Sequence, residues 1–148
     1  MTKQFLNLGK QPIANGFLYK EEISNEFFFN LKVGFDKETK LITHMEYVDP
    51  PLMFNDNYSY RGSMSQTMRE HFKNLSINLQ IYGDDILEIG SNDGVFLKHW
   101  NKEKAVSVEP CSNFAKETQN MGYNTYSEFW TTKLSKTIEK THGKKTRK

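Results

Sequence analysis

Residues 85–97 read DILEIGSNDGVFL: an apolar run that closes on Glu88 and Ile89, turns through Gly90 and Gly94, and resumes in Val95, Phe96 and Leu97. A short apolar run bounded by glycines predicts a buried strand feeding a tight turn. Glycine enters backbone regions that a Cβ forbids, and it lets a ligand lie close against the main chain.

The same pattern continues downstream. AVSVE (105–109) is a second short apolar strand, and Ser112 opens a helix that Gly122 in MGYN is placed to stop with a left-handed cap. NTY (124–126) is a third strand, and Trp130, Leu134 and Ile138 recur at helical spacing up to Gly143. A further helix is expected through Phe96, Leu97 and Trp100. Strands alternating with helices at this spacing predict an α/β fold on a parallel sheet with right-handed connections. In such sheets ligands sit at the carboxyl ends of the strands, where EIGSNDG falls.

Upstream the periodicity changes. Met64, Met68, Phe72, Leu75 and Leu79 mark an amphipathic helix, with Ser63 and Gln66 placed as a capping box. Before it, EFFFNLKVGFDKETKLITHMEYVD predicts two strands around the polar turn DKETK, with Phe27, Phe29, Leu31 and Val33 on one face. GKQPIANGF, with its proline and flanking glycines, predicts an extended loop. The expected organisation is therefore a β-rich N-terminal module over 1–60, a linking helix over 61–82 and an α/β half-domain over 83–148.

Composition narrows the partners. The 148 residues carry a formal charge of +2, which calls for neither nucleic acid nor a membrane surface. No apolar run approaches membrane-spanning length and the N-terminus lacks a secretory pattern, so a soluble, cytoplasmic protein is expected. Cys111 is the sole cysteine, which rules out an internal disulfide and a thiolate zinc site. His44, His71, His99 and His142 are scattered without ligand spacing, so no metal is expected.

The turn itself selects its ligand. A dinucleotide favours G-x-G-x-x-G, whose middle glycine admits the pyrophosphate; here Asn92 holds that place and the anionic Asp93 follows. A phosphate-free cationic ligand bearing a ribose fits better, and S-adenosylmethionine is one. Glu88 would face its ammonium group, and Glu109, about 20 residues on, lies where an acid accepts ribose hydroxyls. Either feature alone is ordinary: strand ends often carry glycines, and an acid there is often merely solvated.

These residues resemble a known family. DILEIGSNDGVFL followed by AVSVEP is similar to the first cofactor motif of class I S-adenosylmethionine-dependent methyltransferases, in particular the sugar C-methyltransferase branch acting on nucleotide-linked keto-deoxysugars. LGKQPIANGFL and VDPPLMFNDNYSYRGSMSQTMREHF resemble two further segments of that branch, in the expected order. The resemblance implies a Rossmann-like sheet in which Gly90, Ser91, Asn92, Asp93 and Gly94 wrap the methionine half of the cofactor and Glu109, followed by Pro110, holds the ribose. Tyr58, Tyr60 and Ser63 match the linking segment beside the pocket, although alternating tyrosines also serve simply to cover a core edge.

Two departures shape the expectation. GFDKETK stands where the family carries a zinc-binding cysteine pair, so the N-terminal module is expected to be zinc-free and to rely on apolar packing, the FFF run included. The family's sheet is also larger than the strands readable here, and its substrate and catalytic half is not legible. The expectation is a partial Rossmann-like sheet in a truncated methyltransferase, weak or inactive alone, whose nucleotide-sugar substrate binds only in a completed protein. The alternative is a non-catalytic remnant or interaction module that joins a partner chain, or itself, through the open edge of the first parallel strand.

Overall fold

The computed structural model describes residues 1–143. By its contacts the chain divides into two compact units, Met1–Ser59 and a second from Tyr60 onward.

The first unit is an antiparallel sheet of β1 (Thr2–Pro12), β2 (Phe28–Asp36) and β3 (Ile42–His44), in the order β1-β2-β3. The hairpin around DKETK forms as its sequence predicts. Asp36 fixes its turn by accepting the Glu38 N–H at 2.9 Å and the Thr39 N–H at 3.0 Å. Those donors, Thr39 first, hold its carboxyl well below the usual carboxylate range. β1 is the element the sequence hides. Its register on β2 shifts between Gln4 and Leu6 and again between Asn7 and Lys10, and Gly9 takes a positive φ of 69°. Bulges of this kind break the two-residue alternation by which a strand is recognised, so Gly9–Pro12 belong to a strand rather than to the expected loop. A short helix α1 (Pro50–Met53) completes the unit.

The apolar packing expected of this unit is only partial, with Phe29, Leu31 and Val33 half-buried. Phe27 and Phe28 are 45% and 49% exposed, and Val48 is the unit's buried apolar side chain. The ladders of β1 on β2 and β2 on β3 organise it instead.

The second unit opens with α2 (Gln66–Gln80). Its cap is Ser65, whose Oγ accepts the Met68 N–H at 3.3 Å, and not the expected Ser63. Ser63 lies within a single 3-10 turn over Gly62–Met64, so its hydroxyl is set back from the true helix start. A parallel sheet follows in the order β4 (Ile86–Ile89), β5 (Ala105–Val108) and β6 (Asn124–Tyr126). α3 (Ser112–Asn120) joins β5 to β6, and α4 (Thr132–His142) follows β6. Gly122, just past α3, has φ 93°, the left-handed stop its sequence predicts. Thr131 caps α4 by accepting the Leu134 N–H at 3.1 Å.

The helix expected through Phe96, Leu97 and Trp100 is not there. Only a 3-10 turn over Leu97–His99 forms. Asp93, Gly94, Val95, Phe96 and Leu97 are all buried. An amphipathic helix exposes part of every turn, so five consecutive buried residues suit a segment threaded through the core.

Each face of the sheet carries its own core. On one, Phe96, Leu97, Trp100, Ala105 and Tyr123 pack with Phe72, Leu75 and Leu79 of α2. On the other, Val106 and Val108 pack under Leu134 and Ile138 of α4. Full burial of one such side chain is worth about 1.5–3 kcal/mol; Phe72, Leu75 and Leu79 each gain part of that, so α2 is an integral layer of this unit rather than a free linker. Over β4 the second face is bare, with Leu87 39% and Ile89 51% exposed. Among the described residues β4 pairs with β5 alone. No helix of the described residues is long and apolar enough to cross a membrane.

Candidate functional site

β4 ends where β5 and the linker converge on the glycine turn. Gly90 has φ 77°, and its N–H donates to the Val108 carbonyl at 2.7 Å, so the turn starts while still tied to the sheet. Gly94 has φ 74°. The two glycines have different surroundings. A Cβ on Gly94 would sit 3.1 Å from Thr118 Cγ2, whereas a Cβ on Gly90 would meet nothing within 4 Å. Gly94 is required by packing, and Gly90 borders open space.

The side chains between them hold the turn together. Ser91 is buried, and Ser107 of β5 donates to its Oγ at 2.6 Å. Asn92, itself at φ 50°, sends its side chain to the linker: Oδ1 accepts the Gly62 N–H at 2.9 Å and Nδ2 donates to the Tyr60 carbonyl at 2.9 Å. Asp93 Oδ2 accepts the Ser63 N–H at 3.1 Å. Residues 60–63 therefore lie as a strap on the turn, and a Cβ on Gly62 would come within 3.1 Å of Val95 Cγ1. Arg61 fastens the strap to α3 through both carboxylate oxygens of Glu117, at 2.8 and 2.6 Å, and lies 5.0 Å over the Phe114 ring.

Glu109 closes the turn from the neighbouring strand. It is only 4% exposed. Oε2 accepts the Asn92 N–H at 2.7 Å and Oε1 accepts the Cys111 N–H at 2.8 Å. Pro110 is half-buried between them. This acid organises the loop through both oxygens, where its sequence position suggests a group presented outward to a ribose.

Glu88 differs from the others. It pairs in register with Ser107, and its Oε2 is buried with no hydrogen-bond partner. Burial first, then the carboxylates of Glu109 and Asp93, pushes its carboxyl up to about 8. Asp93 Oδ1 is likewise buried and unpartnered. The cation that acts on Asp93, Arg61, is already bonded to Glu117. The open end of the sheet is thus acidic, with unused acceptors, which repels phosphate and favours a cation.

Of the residues named from sequence, Glu88, Gly90–Gly94, Glu109, Pro110, Tyr60 and Ser63 come together in the second unit. Tyr60 is 48% exposed beside the turn, and its carbonyl rather than its ring makes the contact. Tyr58 belongs to the first unit, where its ring stands 5.4 Å from Phe54 and lines a cavity of about 220 Å³ with Phe17, Leu52 and Met53. Sequence reasoning missed Ser107, Gly62, Arg61 and Glu117. Ser107 carried a signal, since a serine inside an apolar strand implies a buried partner; the salt bridge between Arg61 and Glu117 carried none.

Among the described residues, no three His, Cys, Asp or Glu side chains are grouped as metal ligands. No protein-family model matches the sequence, and no curated protein matches it.

Proposed function

We propose that the second unit is the cofactor-binding part of a methyltransferase-like protein with a Rossmann-like sheet, and that S-adenosylmethionine binds at the glycine turn that follows β4. The observation that carries this reading is Glu88: a buried carboxyl oxygen without a partner, next to a glycine whose open side meets no atom within 4 Å. That pairing suits a ligand whose ammonium group needs an acceptor and whose chain must run close to the backbone. Glu88 would accept the ammonium, the backbone at Gly90 would flank the methionine half, and Glu109 would keep the turn in shape. Asn92 and Asp93 would hold the strap that carries Tyr60 and Ser63. The cofactor supplies an electrophilic methyl group on a sulfonium.

The acceptor, a carbon of a nucleotide-linked keto-deoxysugar, enters through the sequence resemblance alone. Amide shift mapping tests the cofactor reading: S-adenosylmethionine should move the Gly90, Asn92 and Cys111 resonances, and NADH should leave them in place. Shifts confined to other residues would remove it.

A second reading has its own observation. The exposed Leu87 and Ile89 on the single-sided strand β4 favour an interaction module that pairs with another chain. Light scattering on the eluting protein tests its self-pairing form, which a monomer at high concentration removes.

A further inference from the structure

We infer that ligand capture at the glycine turn is an exchange of cations, in which an incoming ammonium group displaces to solvent a proton that the Glu88 carboxyl carries in the ligand-free chain. This rests on the reading of the turn as an S-adenosylmethionine site.

The geometry is that of an unbalanced acidic cluster. The carboxylates of Asp93 in the turn and Glu109 at the end of β5 both act electrostatically on Glu88. Their hydrogen-bond donors are unequal. Glu109 receives N–H groups from Asn92 and Cys111, Asp93 receives one from Ser63, and Glu88 Oε2 receives none. Among the described residues, the charged groups that act on Glu88 are these two acids, and neither is a cation. The strap's Arg61 is engaged by Glu117 of α3. A second unused acceptor lies in the turn: Asp93, only 6% exposed, has its Oδ1 buried and unpartnered as well.

Buried negative charges without donors are costly, and the group with fewest donors relieves that cost by keeping its proton. The raised value of about 8 for Glu88 agrees with this count. An ammonium placed beside Oε2 supplies both the missing donor and the missing charge, so the proton leaves as the ligand enters. Neutral and anionic ligands obtain no such exchange, and the cluster selects against them.

Titration calorimetry with S-adenosylmethionine near pH 6.5, in phosphate and in a buffer of large ionisation enthalpy, reads the proton directly. Close to one proton should be released per ligand bound, and affinity should rise about tenfold per pH unit between roughly pH 5.5 and 7.5. Glu88→Gln, which resembles the protonated form and keeps its volume, should bind about tenfold or more weaker and release no proton. Wild-type binding with equal heats in both buffers would overturn the exchange and leave the binding site intact. Absence of binding would remove the site, and the exchange with it. Proton release that persists in Glu88→Gln would assign the proton to another group and overturn the inference.

Discussion

The Asn92 main-chain N–H donates to Glu109 Oε2 at 2.7 Å, so the acid at the end of β5 holds the middle of the turn that follows β4. Two strands adjacent in the sheet are thereby locked at their carboxyl ends by one side chain. Glu109→Gln keeps the shape but sets an amide NH₂ against one of two buried N–H donors. It should cost about 2–3 kcal/mol in urea unfolding and speed exchange of the Asn92 or Cys111 amide. An unchanged midpoint would show that the carboxylate is dispensable to the turn.

The two glycines should fail differently. Gly94→Ala combines left-handed strain with a 3.1 Å approach to the Thr118 methyl, whereas Gly90→Ala carries strain alone. The strain is worth about 1–2 kcal/mol at each, and the collision adds to it only at Gly94. Gly94→Ala should therefore have the lower thermal midpoint, and Gly90→Ala, which fills the open side, the greater loss of ligand affinity. Matching effects on both quantities would contradict the division of roles.

The strap offers a comparison between a buried hydrogen bond and an exposed ion pair. Asn92→Ala leaves the buried Gly62 N–H without its acceptor and should cost about 1–3 kcal/mol. Arg61→Ala removes a pair whose side chains are 41% and 36% exposed, and should cost about 1 kcal/mol or less. Urea denaturation of both variants gives the order, which the strap's geometry requires to be Asn92 over Arg61.

Glu88 imposes a pH dependence on folding. Its carboxyl lies near 4.5 when exposed in the unfolded chain and near 8 in the fold, so between those values the folded state holds the extra proton. Stability from this group is therefore present below about pH 4.5 and lost as pH rises through 8, a deficit of up to about 3 kcal/mol by neutrality. Glu88→Gln should stabilise the ligand-free protein near pH 8 and have little effect near pH 4. A uniform effect across that range would place Glu88 in an ordinary solvated setting.

How much of this was legible depended on whether the controlling interaction was local. The parallel sheet, α3, α4 and the Gly122 stop follow from short apolar runs and helical spacing, which are local signals. β1 was hidden because two register shifts and Gly9 scramble its alternation. The missing helix after Gly94 was misread because Phe96, Leu97 and Trp100 fit helical spacing, while burial of every residue from Asp93 to Leu97 becomes visible only in the fold. Within the site, the glycine turn and its acids were found by type and interval. Their partners were not: nothing near Asn92 in sequence indicates that its side chain belongs to Gly62 and Tyr60. The same holds for the orientation of Glu109, because two main-chain donors from different segments decide it.

The central proposal is that the turn at Gly90 takes S-adenosylmethionine. Equilibrium dialysis of methyl-labelled S-adenosylmethionine against the wild-type chain and Gly90→Leu measures it most directly. Saturable binding at one site per chain is predicted, competed by S-adenosylhomocysteine, untouched by NADH and abolished in a folded Gly90→Leu variant. Binding that survives Gly90→Leu, or retention of NADH in place of the methyl donor, would contradict it.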